Sequence, residues 1–263
     1  MKKEAVEHIR LPDLPRLAWI ARVNPSNDVR VYHGINVERH DQWLVEGVWD
    51  GEFGLGDFHR SSFFFGSGMR VSDNGVYFTT SSSLNSRLLC CRYGKDILVS
   101  NSLIILLAYT DAKLDQEHDY NRECSSIVRS VDSYDRKFRV LHPSIEYFQQ
   151  VFFENIFVSH GQISFKPREH RTHIESYEDY IEQLMSILYR IRDNYTDKRR
   201  RFSVDAFSTI SSGYDSTAVA CLVRKIGVSK CFTSRRSNSV LPVCFARASD
   251  DGTYVGRKLG MSV

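Results

Sequence analysis

The C-terminal part of the chain constrains the fold most, because strand-like and helix-like segments alternate there around one tight turn. Residues 204–210 predict a short strand, and the polar turn at 211–215 contains a single glycine. Apolar residues then recur at helical spacing across 218–226. Residues 230–233 predict a second strand, and 250–259 predict a second helix. This order of elements is typical of an α/β fold with a parallel sheet.

The longest predicted helix lies just before this region. It begins after Ser176, whose hydroxyl can accept from the backbone N–H three residues later, its apolar stripe continues to Ile191, and it is expected to end near Asn194. A basic run at 198–201 then connects the helix to the first strand, and we interpret this run as a solvated connector. Together these segments define a predicted C-terminal domain at 175–263.

The preceding residues, 1–165, are rich in short β-prone runs. Asn74 and Gly75 lie between two of these runs and predict a hairpin with a type I′ turn, because both residue types tolerate positive φ. Residues 101–109 predict a short buried helix. We therefore expect a β-rich α+β domain in front of the parallel-sheet domain.

The turn between the first strand and its helix carries the clearest chemical signal. In such a turn, backbone N–H groups and the helix N-terminus together attract an anion. Ser211 and Ser216 add hydroxyl donors, and Gly213 lacks the Cβ that would keep a phosphate away from the backbone. Asp215 alone would repel phosphate, but a carboxylate together with phosphate oxygens is a typical Mg²⁺ ligand set. The turn therefore predicts a site for a Mg²⁺-bound polyphosphate.

Composition and missing motifs exclude several other classes. The 35 basic and 32 acidic residues give a formal net charge of +3, which does not indicate a nucleic-acid partner. The chain contains neither a Walker A sequence nor a dinucleotide-binding G-x-G-x-x-G. Its 6 cysteines form no C-x-x-C pair, so neither a zinc site nor a disulfide framework is expected. The N-terminus lacks a secretory apolar region, and the longest apolar run, 103–109, is too short to span a membrane. We therefore expect a cytoplasmic protein without a membrane partner.

Residues 211–220, S-S-G-Y-D-S-T-A-V-A, resemble the S-G-G-x-D-S pyrophosphate loop of the ATP-pyrophosphatase, or PP-loop, superfamily. The continuation is most similar to the asparagine synthetase-like family, because 231–233 and 249–254 occupy the places of its second strand and following helix. The resemblance covers 175–263 and implies an adenine nucleotide α-hydrolase-like fold for that domain.

This resemblance implies an AMP-forming amide ligase that uses ATP and Mg²⁺, as in asparagine biosynthesis. A small-molecule carboxylate would attack the α-phosphorus, release pyrophosphate and form an acyl-adenylate, and an amine donor would then displace AMP. The resemblance assigns Asp215 to the metal and Phe232 and Thr233 to the adenine pocket, and it assigns no catalytic residue. The positions that it implies for ATP and pyrophosphate binding are Ser211, Ser212, Gly213, Asp215 and Ser216.

In this family a glutaminase-like domain with a cysteine after the initiator methionine precedes the synthetase domain. Position 2 here is Lys2 and no cysteine precedes Cys90, so a glutaminase nucleophile is not expected. The family's acceptor-substrate residues would follow Val263, so the synthetase domain is expected to be truncated.

Alternatives to the ligase stay open at this stage. The chain could be a truncated, non-catalytic nucleotide-binding remnant or a regulatory module, and a tRNA-modifying or sulfur-transfer enzyme of the same superfamily is a third hypothesis. Arg235 and Arg236 are equally compatible with a phosphate contact and with an exposed loop. His170 and His173 are interpreted as surface residues rather than metal ligands. The sequence does not determine the acceptor substrate, the amine donor or whether the chain forms a homodimer.

Overall fold

The computed structural model of the chain describes residues 6–168, 173–234 and 251–263. The chain divides into two compact units. The domain boundaries inferred from the sequence, 1–165 and 175–263, stay a prediction. Unit 1 consists of Met1–Thr172 and Arg199–Phe202, and unit 2 consists of His173–Lys198 and Ser203–Val263.

The described part of unit 1 is built mainly from two β-sheets. Its strands are, in chain order, β1 (Val6–Arg10), β2 (Trp19–Val23), β3 (Val29–His33), β4 (Glu38–Arg39), β5 (Trp43–Trp49), β6 (Phe64–Ser72), β7 (Gly75–Thr79), β8 (Leu88–Tyr93), β9 (Asp96–Ser100), β10 (Lys137–Arg139), β11 (Tyr147–Val151), β12 (Glu154–Ser159) and β13 (Gln162–Pro167). The first sheet has the order β1-β3-β2-β9-β8-β11-β10, and the second has the order β13-β12-β7-β6-β5-β4. Neighbouring strands in these sheets are antiparallel, except that β1 and β3 are parallel.

Two short α-helices lie between β9 and β10 in the chain. They are α1 (Leu103–Thr110) and α2 (Tyr120–Ser125), and single 3-10 turns occur at Phe53–Leu55, Phe58–Arg60 and Ser126–Val128. Ser102 caps α1, because its side chain accepts from the backbone N–H of Ile105 at 3.5 Å. The short helix predicted at 101–109 is confirmed, but its predicted burial is only partly right, because Ile104 is 75% exposed.

The two sheets of unit 1 pack face to face over a shared apolar core. At its centre Trp19 of β2 stacks on Phe78 of β7, with 6.1 Å between ring centroids, and both side chains are buried. On the outer face of the first sheet, Leu106 of α1 belongs to a second apolar cluster. A third cluster is almost entirely aromatic, and its members are Trp43, Val45, Trp49, Phe53, Phe58 and Phe64.

The hairpin predicted around Asn74 is confirmed, but the predicted turn type is wrong. β6 and β7 pair from Ser72 and Gly75 outward, which leaves Asp73 and Asn74 as the turn. Neither turn residue has the positive φ that a type I′ turn needs, and Gly75, with φ 151°, is already the first residue of β7. A Cβ on Gly75 would lie 2.4 Å from the carbonyl oxygen of Val158, so the glycine is required by the neighbouring strand β12.

Glu46 of β5 belongs to a polar network that joins the two sheets. The hydroxyl of Ser67 donates to Glu46 Oε1 at 2.6 Å and accepts from the indole N–H of Trp19 at 3.0 Å. The side-chain amide of Asn101 donates to the same Glu46 oxygen at 3.3 Å. Burial raises the pKa of Glu46 from 4.5 to about 7, because these neutral donors offset only part of the desolvation of the charged form.

Replacing Glu46 with glutamine is expected to stabilise unit 1 at alkaline pH. A folded-state pKa above the unfolded value means that stability is lost as the pH rises from 4.5 through about 7. Glu46→Gln keeps the Ser67 bond without the charge, so thermal unfolding near pH 8 should show a gain of about 1–2 kcal/mol. Near pH 5 the gain should be absent, and the exposed control Glu146→Gln should change neither value. A loss of stability in Glu46→Gln at both pH values would contradict this account.

The basic run that follows the long helix is not simply a solvated connector. Arg199–Phe202 packs with unit 1, where the Arg200 guanidinium lies 4.4 Å from the ring centroid of Phe53. The contacts come from the guanidinium groups of Arg199 and Arg200 and from the backbone of Arg201, which the count of charged residues did not reveal.

Unit 2 is a small α/β arrangement within its described residues. Its elements are α3 (Tyr177–Tyr195), β14 (Ser208–Thr209), α4 (Tyr214–Lys225), β15 (Cys231–Phe232) and α5 (Thr253–Lys258). β14 and β15 pair in parallel, and Lys230 forms a further parallel bridge with Ser262. The order is therefore strand, helix, strand, helix and bridge, around a core that includes Ile210, Ala220 and Met261.

The class predicted from the sequence is confirmed at the level of a mixed α/β protein with a β-rich part and a parallel strand pair. Ser176 caps α3 by accepting from the backbone N–H of Asp179 at 3.0 Å, as its sequence predicts. The two strands of unit 2 are shorter than predicted, because each pairs with the other over only two residues. Among the described helices, none is long and apolar enough to cross a bilayer.

Candidate functional site

The polar turn lies at the carboxyl end of β14 and leads directly into α4. Ile210, the last residue before it, is buried and donates its backbone N–H to the carbonyl of Phe232 at 2.8 Å. Gly213 is the N-cap of α4, and no side chain caps this helix end. Gly213 has no side chain that could accept from the first-turn N–H groups of the 12-residue helix, and a helix N-terminus of this kind attracts anions.

The two serine hydroxyls of the turn close it. Ser211 and Ser216 are 2.7 Å apart at their Oγ atoms, and Ser216 Oγ accepts from the backbone N–H of Ser211 at 2.9 Å. Ser211 Oγ accepts from the backbone N–H of Gly213 at 3.1 Å. Both hydroxyls are thus held at the mouth of the turn, where each can also reach an oxygen of a bound anion.

The backbone of the turn is unstrained. Gly213 has φ −79° and ψ 163°, which any residue adopts, and Ser212 is not among the residues with positive φ. A Cβ on Gly213 would meet only Ser211 Oγ, at 3.3 Å. Gly213 is therefore not needed for the fold of the turn, and its lack of a side chain leaves open space above the backbone for a ligand.

Asp215 lies in the first turn of α4 with an exposed side chain. A carboxylate at this position is favourable for the helix by about 0.3–1 kcal/mol even without a ligand. One carboxylate beside an anion-binding turn also fits Mg²⁺, which takes its other ligands from phosphate and water. Among the described residues no group of three or more His, Cys, Asp or Glu side chains forms a metal site by itself.

Phe232 and Thr233, the two positions implied for an adenine pocket, lie at the end of β15, the strand that pairs in parallel with β14. Phe232 is 62% exposed, and its ring centroid lies 5.2 Å from that of Phe207, so a flat apolar surface stands open beside the strand ends. Thr233 instead uses its hydroxyl to accept from the backbone N–H of Gly252 at 2.8 Å. Phe232 is thus available to a ligand, whereas Thr233 connects β15 to the start of α5.

Gly252 is a residue whose importance the sequence did not reveal. A Cβ there would lie 2.7 Å from the carbonyl carbon of Ile210 and 2.8 Å from the backbone nitrogen of Ser211. The start of α5 therefore packs directly on the backbone at the entrance of the turn. The sequence shows a glycine just before a predicted helix, but it does not show that this glycine contacts Ile210 and Ser211, some forty positions earlier.

The structure brings together part of the set inferred from the sequence. Ser211, Gly213 and Ser216 are joined by hydrogen bonds, and Asp215 follows on the same helix turn. Arg235, Arg236 and His170 lie outside the described residues.

In comparisons with known proteins, no family model matches this chain. A search of the curated proteins likewise found no significant match.

Proposed function

We propose that unit 2 binds Mg²⁺·ATP at the turn between β14 and α4 and uses it to activate a carboxylate as an acyl-adenylate. An amine donor then displaces AMP, so the reaction class is that of an asparagine synthetase-like, AMP-forming amide ligase with a PP-loop. A cytoplasmic setting, where Mg²⁺ and ATP are abundant, fits this chemistry.

The observation that carries the proposal is the uncapped N-terminus of α4 with two serine hydroxyls at its mouth. It supports a diphosphate site because the backbone N–H groups, the hydroxyls and the helix dipole all favour negative charge at one place. Asp215 would hold Mg²⁺, which neutralises the diphosphate and makes pyrophosphate a better leaving group. The exposed ring of Phe232 would lie against the adenine.

Titration calorimetry with ATP tests the binding step directly. ATP should bind when Mg²⁺ is present and should bind at least about tenfold more weakly after chelation, because the metal joins the carboxylate to the phosphates. Exchange of labelled pyrophosphate into ATP, with a panel of small carboxylates, then tests for adenylation. Equal ATP binding with and without Mg²⁺ would rule out the site as described.

The second candidate is a non-catalytic nucleotide-binding module. It is favoured by the internal hydrogen bonds of the turn, since Ser211 and Ser216 already satisfy two backbone N–H groups without a ligand. A non-catalytic module should bind Mg²⁺·ATP but should not exchange pyrophosphate into ATP with any carboxylate. A ligase should exchange pyrophosphate into ATP only when one class of carboxylate is present.

A further inference from the structure

Four residues of the connector after α3, Arg199–Phe202, pack as part of unit 1, although the chain on both sides belongs to unit 2. We call this segment the basic clip. The backbone N–H of Arg201 donates to both carboxylate oxygens of Glu38, at 3.0 and 3.2 Å, and that of Phe202 donates at 3.4 Å. Glu38 is only 3% exposed, so the clip supplies hydrogen bonds that a buried carboxylate needs.

Two arginine side chains add to the docking of the clip. Arg200 donates to the carbonyl of Gly47 at 3.0 Å and lies over the ring of Phe53. Arg199 donates to Glu52 at 2.9 Å, with both side chains largely exposed. The aromatic and buried contacts therefore hold the clip more than the surface ion pair does.

Three histidines from separate segments meet beside the clip. The rings of His8 and His33 are 5.8 Å apart at their centroids, and His8 Nε2 lies 3.2 Å from the carbonyl of His40. His40 stacks on Trp43 at 3.7 Å and meets Phe53 edge-on at 5.8 Å. Phe53 is thus contacted by His40 on one side and by the clip through Arg200.

Each ring of this histidine cluster is held in a setting that disfavours its charged form. One ring nitrogen of each is buried without a protein partner, namely His8 Nδ1, His33 Nε2 and His40 Nε2. Burial lowers the pKa of His8 from 6.5 to about 4, and it lowers the pKa values of His33 and His40 as well.

The charges around the cluster are mostly positive. His8 faces His33, Arg39 and Arg201, and His33 faces Arg39 and Arg10. His40 faces Arg201 of the clip, and Asp41 opposes this effect. A proton on the cluster would therefore be repelled by arginines, one of which belongs to the clip itself.

We propose that the histidine cluster is an acid-sensitive latch that holds the basic clip on unit 1 at neutral pH and releases it on acidification. Protonation of the cluster places positive charge against Arg201, and departure of the clip relieves this repulsion and opens the cluster to water. The folded-state pKa values lie below 6.5, so docking is complete above that pH and is lost as the pH falls from 6.5 towards about 4.

Amide hydrogen exchange followed by NMR tests the latch at the two N–H groups that bind Glu38. The N–H groups of Arg201 and Phe202 should be protected at neutral pH. After correction for the intrinsic rate, their protection should fall at least about tenfold by pH 5, since one pKa unit corresponds to a tenfold change. The amides paired between β6 and β7 should stay protected. Simultaneous loss at both places would mean general acid unfolding and would overturn the proposal, as would unchanged protection of the clip.

Matched variants separate the cluster from other titrating groups. The double variant His8→Phe, His40→Phe keeps aromatic rings at both positions but cannot be protonated there, so the clip amides should stay protected from exchange at pH 5. Arg201→Gln keeps the backbone donors and removes the facing charge, which should move the release to lower pH. This second variant changes an exposed side chain and provides the test if the double variant does not fold. His173→Gln, 85% exposed in unit 2, should behave as the wild type. Release at the wild-type pH in both Arg201→Gln and the folded double variant would overturn the proposal.

Discussion

The Asp215→Ala variant is expected to lose Mg²⁺-dependent ATP binding by about 100-fold, which corresponds to about 2.7 kcal/mol. Asp215 is the carboxylate of the turn that can hold the metal, because Ser211 and Ser216 offer only hydroxyls and Gly213 offers only backbone. Without the carboxylate, Mg²⁺ would stay on the nucleotide but would no longer join it to the protein.

The same variant should remain folded, which separates a binding effect from a structural one. Removing a first-turn acid from α4 costs about 0.3–1 kcal/mol of helix stability. Asp205→Ala is the matched control, since Asp205 is also an exposed aspartate of unit 2 but precedes β14. Calorimetry and thermal unfolding on both variants make the comparison. If folded Asp215→Ala bound Mg²⁺·ATP as tightly as the wild type, Asp215 would not be a Mg²⁺ ligand.

The Gly252→Ala variant is expected to lower the free energy of unfolding of unit 2 by about 2 kcal/mol or more. Gly252 has φ −82°, so alanine is not strained by its own backbone. The new Cβ would instead lie within 2.8 Å of backbone atoms of Ile210 and Ser211, which cannot move aside as a flexible side chain could. Relief requires a shift of the turn, so Mg²⁺·ATP binding should weaken together with stability.

Gly213→Ala provides the contrasting case for Gly252→Ala. Its Cβ would meet only Ser211 Oγ, at 3.3 Å, so unfolding by denaturant should be close to that of the wild type. ATP binding should nevertheless fall, because the added methyl group occupies the space above the turn that we assign to phosphate. Equal stability of Gly252→Ala and the wild type would contradict the close packing of α5 on the turn.

The features that could be predicted from the sequence are those with local causes. The start of α3 follows from the hydroxyl of Ser176 and an apolar stripe within the same segment. The hairpin of β6 and β7 follows from adjacent turn residues. The turn at Ser211 could be located because its residue types and its place between strand and helix are all contained in a few consecutive positions.

The remaining features depend on contacts between distant parts of the chain. The predicted type I′ turn was wrong because Gly75 belongs to β7, where it packs against the carbonyl of Val158 in β12, and the turn is formed by the two residues before it. The docking of the basic clip depends on Glu38, which lies far from Arg201 in the sequence. The raised pKa of Glu46 depends on desolvation by parts of the chain that are distant in the sequence, and no local pattern records that desolvation.

The most direct test of the central claim is to add Mg²⁺·pyrophosphate to isotope-labelled protein and follow the backbone amide resonances by NMR. The largest shifts are expected at Gly213, Tyr214, Asp215 and Ser216, and these shifts should disappear when Mg²⁺ is chelated. Shifts confined to unit 1, or no saturable shift in the turn at millimolar pyrophosphate, would show that the end of β14 and the start of α4 do not form a diphosphate site.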